Sequence, residues 1–339
     1  MIKEGMSGTE KVKMSGLVDS FGRGINYLRI SVTDRCNLRC IYCMPLEGVA
    51  AVPHSEILSY EEICAVVGAA AGLGVKKVRI TGGEPLVRAE LPRLVEMLAQ
   101  VEGIEDISLT TNGTLLRKYA GELKRAGLRR VNISLDTLKR DRFREITRCG
   151  ELKDALDGIE AAMNAGLQPV RINMVVMRGI NDDEVADFAA KAYQEGWNVR
   201  FIEVMPFCGV ADFVPSAELK RRISPGRLEP SSAITGSGPA EYYCLPQARG
   251  TIGFISPLSE PFCSRCNRIR LTSVGQLCPC LVSDEGVDLK RALRRLPAEG
   301  LEQEIKRLIL KAVAAKPERH RLAAGEAISV KRRMSQTGG

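Results

Sequence analysis

Six short apolar runs, with helix-like stretches between them, occupy the chain between about residues 25 and 206. The runs are short and rich in β-branched residues, which is typical of strands: Asn26–Val32, Lys77–Ile80, Asp106–Thr110, Arg130–Leu135, Val170–Val176 and Val199–Val204. The helical stretches are Ser59–Leu73, Pro92–Val101, Leu115–Ala126, Leu152–Ala165 and Asp183–Glu195. Strands that alternate with helices form parallel sheets through right-handed crossovers.

Capping residues mark the ends of several predicted helices. Ser59 is followed three residues later by Glu62, which predicts a capping box at the start of the first helix. A glycine follows each of four predicted helices, as C-terminal caps do: Gly74, Gly127, Gly166 and Gly196.

The alternation predicts an α/β fold built on a partial, six-unit βα barrel of the TIM type, or else on an open doubly wound sheet. A closed barrel of eight units needs about 250 residues, more than this segment offers. In either fold, ligands bind where the strands end and the following loops begin.

The pattern changes after residue 207. Pro, Gly and Ser accumulate over residues 224–239, and two hairpin-like runs follow, Glu241–Leu245 and Gly250–Ser256. We expect a flexible N-terminal segment over 1–24, the barrel over 25–210, and a smaller C-terminal cluster-binding domain over 211–339 that ends in a basic Gly-Gly tail.

Composition excludes several classes of protein. No apolar run approaches the roughly 18 residues that span a bilayer, and the polar N-terminus has no signal-peptide core. We therefore expect a cytoplasmic protein that does not associate with a membrane. The net charge is +8, but aromatic residues make up only 5%, and no nucleic-acid partner is expected. Eleven cysteines, an odd number, argue against a disulfide framework and for metal or redox chemistry.

The first cysteine group follows the first predicted strand directly and contains Cys36, Cys40 and Cys43. A cube of four irons normally takes four thiolates, so three would leave one iron open to another ligand. Structural zinc also takes four ligands, and neither of the two histidines, His54 and His320, lies at ligand spacing from this group. Spacing alone leaves both metals open.

Two motifs together resemble the radical S-adenosylmethionine enzymes. The first is the cysteine loop with Tyr42 before its third cysteine; the second is Thr81-Gly82-Gly83-Glu84-Pro85, which is similar to that superfamily's methionine-binding turn. The resemblance implies a 4Fe–4S cluster whose open iron binds S-adenosylmethionine, and reductive cleavage that yields a 5′-deoxyadenosyl radical able to abstract hydrogen.

A second cysteine group begins at Cys263 and Cys266 and continues through Cys278 to Cys280. Its Cys-x2-Cys and Cys-x-Cys pairs also suit a zinc ribbon. Cys266 is followed by Asn-Arg-Ile-Arg-Leu-Thr, which contains Arg268 and Arg270. These two arginines alternate by two, so an extended segment would turn both to the same side.

From about Asn26 to Gly339 the chain resembles the GTP 3′,8-cyclase family of molybdenum-cofactor biosynthesis, with matching motifs at 111–113, 132–138 and 200–206. The resemblance implies two 4Fe–4S clusters, on Cys36, Cys40 and Cys43 and on Cys263, Cys266 and Cys280. It implies S-adenosylmethionine contacts from Tyr42, Gly83, Ser134 and Met205. It implies GTP contacts from Arg29, Arg79, Thr110, Arg171, Arg268 and Arg270, and entry of Gly338 and Gly339 into the active site.

The resemblance further implies a homodimer, an electron donor of unknown identity, and a downstream cyclic pyranopterin monophosphate synthase that consumes the product. The charge pattern agrees with a nucleotide substrate, because arginine forks bind phosphate oxygens in bidentate fashion. Arg29, Arg79 and Arg171 fall on predicted strands, near the functional ends as we expect, and should face a polar cavity.

Two positions depart from the family pattern. Arg171 stands where the family usually has lysine, which keeps the charge and changes the hydrogen-bond geometry. Cys278 is an extra thiol, which we expect not to bind the cluster, because a fourth ligand would block guanine coordination. The remaining cysteines are expected to be buried structural thiols: Cys64, Cys149, Cys208 and Cys244.

Two other functions fit parts of the pattern. A peptide-modifying radical enzyme with an auxiliary cluster would typically carry more C-terminal cysteines and lack the paired arginines. A non-enzymatic sensor module would hold zinc or a cluster without a substrate, and zinc without acid-labile sulfide would identify it.

Overall fold

Strands and helices alternate through the first half of the chain as the sequence predicts. The computed structural model describes residues 16–50, 52–206, 212–223, 228–232, 238–320, 322 and 334–337. The six predicted strands are confirmed: β1 (Tyr27–Ser31), β2 (Lys77–Thr81), β3 (Asp106–Thr111), β4 (Arg130–Ser134), β5 (Arg171–Val176) and β6 (Asn198–Glu203). The helices are α1 (Tyr60–Ala71), α2 (Leu91–Ala99), α3 (Leu116–Arg125), α4 (Arg140–Thr147), α5 (Leu152–Asn164) and α6 (Val185–Glu195).

Helix α4 was not predicted, because it is short and highly charged and buries only Phe143, Ile146 and Thr147. The predicted capping box of α1 is present: the Ser59 hydroxyl accepts a hydrogen bond from the Glu62 amide at 3.1 Å, and the Glu62 carboxylate accepts one from the Ser59 amide at 2.7 Å.

The second half of the chain adds shorter elements. They are α7 (Ser216–Ile223), β7 (Glu229–Pro230), β8 (Glu241–Cys244), β9 (Thr251–Ile255), β10 (Arg268–Leu271), β11 (Gln276–Cys278), β12 (Val287–Asp288), α8 (Lys290–Arg295), α9 (Ala298–Ala314) and α10 (Met334–Thr337). The predicted hairpin is confirmed as the antiparallel pair β8 and β9.

All of these strands join one sheet, in the order β12-β11-β10-β1-β2-β3-β4-β5-β6-β9-β8-β7. Strand β10 pairs parallel with β1, and β9 pairs parallel with β6. The chain after residue 210 therefore extends both edges of the six-unit barrel instead of forming a sheet of its own. This pairing satisfies the backbone groups that the edges of a parallel sheet would otherwise expose.

The sheet has one apolar face and one polar face. Leu28, Ile30 and their neighbours in register are fully buried in the main core, which includes the apolar sides of the helices. The opposite face carries Arg29, which is level with Arg79 on β2 and with Arg270 on β10. Parallel sheets usually bury apolar side chains on both faces, so this polar face must line something other than a hydrophobic core.

Side chains on the polar face contact one another across the sheet. The Arg200 guanidinium on β6 donates to the Asn132 side chain on β4, two strands away, at 2.6 Å. We therefore describe the polar face as a lumen, defined by the inward side chains of β1 to β6, β9 and β10. Within the described residues, no helix is long and apolar enough to cross a bilayer.

We predict that Gly158→Ala destabilises the protein although alanine favours helices. Gly158 lies in α5, and a Cβ there would lie 2.1 Å from the Gly113 carbonyl oxygen, so α5 would have to move. The expected loss is about 1–3 kcal/mol in the free energy of unfolding by urea.

Gly121→Ala is the matched control, since Gly121 lies in α3 with only the Arg125 side chain near its Cβ position, at 3.6 Å. This variant should gain about 0.5–1 kcal/mol from helix propensity. Equal effects of the two substitutions would contradict the packing argument.

Candidate functional site

The first cysteine group, here called the first triad (Cys36, Cys40 and Cys43), lies on the loop that follows β1. The loop turns at Cys40, whose carbonyl accepts hydrogen bonds from the Cys43 amide at 2.9 Å and the Met44 amide at 3.1 Å. The Ile41 amide donates to the Ile146 carbonyl at the end of α4, 2.9 Å away. These bonds fold the three cysteines into one compact loop at the carboxyl end of β1.

The glycine-rich turn after β2 packs against this loop. The Gly83 amide donates to the Thr33 carbonyl at 2.7 Å, and the Glu84 amide donates to the Arg35 carbonyl at 2.8 Å. A Cβ on Gly83 would lie 2.3 Å from the Arg35 carbonyl oxygen, so only glycine fits there. The glycine pair thus has a structural reason besides the predicted ligand contact, because it brings this turn against the residues before Cys36.

The Glu84 side chain is buried and tied to the end of β3. Its carboxylate accepts hydrogen bonds from the Thr111 hydroxyl and the Asn112 amide, each at 2.7 Å. Burial raises the pKa of Glu84 to about 7, against the effect of these hydrogen bonds. The side chain therefore orients neighbouring loops at the carboxyl edge of the sheet.

A small cleft brings three of the predicted residues together, since Cys40, Tyr42 and Ser134 all line it with Asp136. The Tyr42 hydroxyl donates to the Asp136 carboxylate at 2.7 Å, and the Val175 amide donates to the same group at 2.8 Å. Burial raises the pKa of Asp136 to about 6. Gly83 and the half-buried Met205 are not among the residues that line the cleft.

The first triad lies in acidic surroundings. Burial raises the pKa of Cys36 to about 11, and burial together with the Asp136 charge raises the pKa of Cys40 well above its usual value. Cys149 was predicted to be a buried thiol, and this is wrong. It is exposed, and its thiol donates to the Asn37 carbonyl at 3.4 Å beside the triad, because the loop after α4 packs on the cysteine loop.

The second triad (Cys263, Cys266 and Cys280) is assembled from two segments that flank β10 and β11. The Cys266 amide donates to the Cys263 carbonyl at 3.1 Å. Lys316 contacts the Cys266 sulfur at 3.4 Å and the Pro279 carbonyl, which directly precedes Cys280, at 2.8 Å.

Cations dominate the electrostatics of the second triad. Burial opposes ionisation of Cys266, but the charges of Arg268 and Lys316 outweigh it and lower the pKa of this thiol to about 7. Cys278 is buried and pairs across the sheet with Arg270, whose pKa also responds to Cys280 and Cys266.

Both triads present the donor set that an iron–sulfur cluster takes, namely cysteine thiols held on short loops. The first triad lies on one loop, and the second lies on two segments that Lys316 links. Among the described residues, no three cysteine, histidine or carboxylate side chains are grouped as ligands of a metal ion. The residues therefore fit a cluster by their chemistry and their grouping on the chain.

The two triads lie at opposite ends of the lumen. Strand β10 runs parallel to β1, so Cys266, which precedes β10, lies at the amino edge of the sheet. Cys36 follows β1 and lies at the carboxyl edge. The length of β1, about 13 Å from its first to its last residue at 3.3 Å per residue, separates the two levels.

The predicted arginines line the lumen between these levels. Arg29, Arg79 and Arg270 are buried and level with one another on adjacent strands. Burial first, and then the charges of Arg270 and Arg79, hold the pKa of Arg29 well below its usual value. Like charges are thus concentrated where a neutral core would normally lie.

The expected position of these arginines near the functional ends of the strands is wrong. Arg171 is the first residue of β5, and Arg29 and Arg79 lie at the middle of β1 and β2. The inward side chains alternate along the whole strand, so the charged surface reaches deeper than the loops. Thr110, also on this face, has a buried hydroxyl without a hydrogen-bond partner among the described residues.

Sequence reasoning missed Arg200. Its guanidinium is buried in the lumen and donates to the side-chain carbonyl of Asn132 at 2.6 Å and to that of Asn173 at 2.9 Å. Burial and the charges of Arg79 and Arg171 lower the pKa of Arg200 to about 10. The feature that indicates its role is its position on β6, level with Asn173 on β5. The sequence alone does not reveal this position, because it depends on the register between the two strands.

The C-terminal helix α10 lies at the carboxyl mouth of the lumen. Ser335 is buried, and Gln336 lines a cavity with Asp34, Thr272 and Ser273, which follow β1 and β10. Gly338 and Gly339 lie outside the described residues.

Comparisons with known proteins agree with this geometry. Residues 30–192 match the family described as the Radical SAM superfamily, and residues 197–322 match Molybdenum Cofactor Synthesis C. The structure of Streptococcus suis SuiB bound to S-adenosylmethionine is similar with a TM-score of 0.60 and 16% identity, over 89% of this chain and 67% of that one. At this identity the likeness concerns the fold alone. The fold and the first cysteine loop define a radical S-adenosylmethionine protein.

Comparison with curated relatives narrows the family within this superfamily. A GTP 3′,8-cyclase of Desulforamulus reducens is 51% identical over 95% of this chain and 100% of its own length. One from Pelotomaculum thermopropionicum is 53% identical over 95% of this chain and 99% of its own length. The chain belongs to the GTP 3′,8-cyclase family.

We predict that Cys266 is alkylated by iodoacetamide much faster than Cys36 in anaerobic, metal-free protein at pH 8. With a pKa of about 7, Cys266 is about nine-tenths thiolate at this pH, whereas Cys36, with a pKa of about 11, stays protonated. Mass spectrometry of peptides gives both rates.

The rate at Cys266 should rise through pH 7 and level off above it, whereas that at Cys36 should still increase above pH 9. Cys64 in α1, whose pKa burial raises to about 11, serves as the control away from both triads. Equal rates at Cys266 and Cys64 would contradict the cationic environment of the second triad.

Proposed function

We propose that this protein is a radical S-adenosylmethionine lyase that converts GTP into (8S)-3′,8-cyclo-7,8-dihydroguanosine 5′-triphosphate, the first step of molybdenum-cofactor biosynthesis. The observation that carries the proposal is an arginine-lined lumen with a cysteine triad at each end. The names of the relatives support the choice of GTP.

In this proposal Cys36, Cys40 and Cys43 bind a 4Fe–4S cluster with one open iron, and Tyr42, Gly83, Ser134 and Met205 line the S-adenosylmethionine site. When bound, this pair supplies one-electron cleavage of a sulfonium and hydrogen abstraction. Buried Asp136 suits a cationic ligand, because its carboxylate adds negative charge beside the cleft. Its hydrogen bond also fixes the orientation of Tyr42.

The lumen holds GTP in the same proposal, through Arg29, Arg79, Thr110, Arg171, Arg268 and Arg270. We add Arg200 to this set because its guanidinium is buried in the lumen. Guanidinium groups bind phosphate oxygens with two parallel hydrogen bonds, and they remain charged when buried. Burial first, and then neighbouring arginine charges, lower the pKa of Arg29 and Arg200, and an anionic triphosphate would offset both effects.

Cys263, Cys266 and Cys280 would hold the second 4Fe–4S cluster, with guanine directed to its open corner. The buried Cys278 would stay outside the ligand set, because it packs in β11 against Arg270. Gly338 and Gly339 would reach the reacting ribose from the mouth of the lumen, a role that the nearby position of α10 supports.

Further parts of the proposal concern the setting of the reaction. An electron donor of unknown identity would reduce the first cluster, and a cyclic pyranopterin monophosphate synthase would consume the product. The protein would act in the cytoplasm as a homodimer.

The test is anaerobic incubation of reconstituted protein with S-adenosylmethionine, a reductant and each nucleoside triphosphate in turn. We expect 5′-deoxyadenosine and a cyclised purine nucleotide with GTP only, separated by chromatography and identified by mass. Cleavage of S-adenosylmethionine without any nucleotide product, or an equal response to ATP, would refute the assignment.

We predict that Arg270→Ala lowers kcat/KM for GTP by about ten- to a hundredfold or more. A charged hydrogen bond to phosphate contributes roughly 1.5–3 kcal/mol, and Arg270 is buried in the lumen. Initial rates of product formation at several GTP concentrations measure the effect.

Arg307→Ala is the control, since Arg307 is exposed on α9 and pairs only with Glu304 among the described residues. It should leave the GTP response unchanged, and both variants should bind S-adenosylmethionine. A normal kcat/KM in Arg270→Ala would contradict the assignment of Arg270, and with it β10, to the nucleotide site.

A further inference from the structure

Lys316 is a buried lysine that follows α9, and its side chain makes three contacts. The Nζ group lies 3.4 Å from the Cys266 sulfur, 2.9 Å from the Arg268 carbonyl oxygen and 2.8 Å from the Pro279 carbonyl oxygen. An ammonium group has three N–H donors, so these contacts account for all of them. Lys316 is 4% exposed, and among the described residues no carboxylate forms an ion pair with it.

The three acceptors belong to the two segments that make the second triad. Arg268 follows Cys266 by two residues, and Pro279 directly precedes Cys280. One ammonium group therefore links the segment of Cys263 and Cys266 to the segment of Cys280.

The turn after Lys316 is anchored to the same place by Arg23. The Arg23 guanidinium donates to the Cys263 carbonyl at 2.7 Å, to the Glu318 carbonyl at 3.0 Å and to the Pro317 carbonyl at 2.7 Å. Asp19 in turn holds Arg23 through a buried ion pair. Lys316 cannot move away from the triad without breaking this second set of hydrogen bonds.

Burying an ammonium group is costly unless an anion or several acceptors compensate for its lost hydration. Two carbonyl oxygens provide part of this compensation. The negative partner that remains within reach is the Cys266 sulfur, which carries charge when it is a metal-bound thiolate. Hydrogen bonds and positive charge at cluster sulfurs favour the reduced, more negative state of a cluster and so raise its reduction potential.

We propose that Lys316 is a positioning residue of the second triad, whose ammonium holds the Cys266 thiolate by an N–H···S bond and raises the reduction potential of the cluster bound there. The inference rests on the proposed function, because it takes Cys263, Cys266 and Cys280 as cluster ligands. The inference adds to the second cluster a charged residue that is not a ligand, Lys316, and predicts no effect of this residue on the first cluster.

The experiment isolates the second cluster by replacing Cys36, Cys40 and Cys43 with alanine in the full chain. Lys316→Met and Lys316→Gln are then compared with Lys316 in this background after anaerobic reconstitution. The readouts are iron and acid-labile sulfide per chain, and the midpoint potential from a redox titration followed by electron paramagnetic resonance. Lys306→Met is the control, since Lys306 is a half-buried lysine of α9 that lies beside Gly72 and pairs with Glu302.

Lys316→Met should lower the ratio of reduced to oxidised cluster at a fixed potential by about tenfold, which is a shift of about 59 mV for one electron. Lys316→Gln, which keeps a donor and removes the charge, should fall between, and Lys306→Met should match the parent. A folded Lys316→Met chain that binds no iron would also support the proposal, provided that the same substitution leaves the first cluster intact in the chain with both triads.

An unchanged potential in fully loaded Lys316→Met would overturn the inference. If the methionine variant does not fold, the glutamine variant is judged on the same potential. Failure of the proposed function would look different, because the parent with three alanines would then bind no iron at all, whatever stands at position 316.

Discussion

Burial of several guanidinium groups on one face of a parallel sheet is the constraint on which the rest of this structure depends. Burial lowers the pKa of Arg29, Arg79 and Arg200, and the charge of Arg79 lowers the pKa of the other two further. The outer face of the same strands is mainly apolar and packs under the helices, so the arginines lie on the opposite, inner face. The sheet must curve around this face, and an anion within the lumen would lower the repulsion that the curvature creates.

The lumen also has an electrostatic direction. Its carboxyl end holds buried carboxylates, Glu84 and Asp136, near the first triad, whereas its amino end holds Arg268, Arg270 and Lys316 near the second. A sulfonium cofactor carries positive charge, whereas a nucleoside triphosphate carries negative charge. The proposed arrangement therefore places each ligand at the end of the lumen where the protein carries the opposite charge. The same charges make the thiol of Cys40 in the first triad less acidic and that of Cys266 in the second triad more acidic.

Much of this could be predicted from the sequence. The strand and helix alternation gave six units with small errors at their ends, because β-branched runs and capping residues act locally. The role of the second half could not be predicted: β9 and β10 pair with strands far away in sequence, and neither has a pattern that specifies its neighbour. Arg200 and Lys316 were missed for the same reason, since each is defined by what it contacts across the sheet or beneath it. The peptide-modifying and sensor alternatives were open on cysteine spacing alone, and family membership decides against them.

The pairing of β10 with β1 has a consequence for how the protein is made. Tyr27 can pair with its parallel partner Arg268 only after about 240 further residues have been synthesised. Contacts between residues so far apart in sequence form slowly, because a long loop must close first. During translation one border of the nascent sheet is therefore left without its neighbour, and it is vulnerable to association with other chains. The cysteines of the second triad are likewise synthesised more than 200 residues after those of the first.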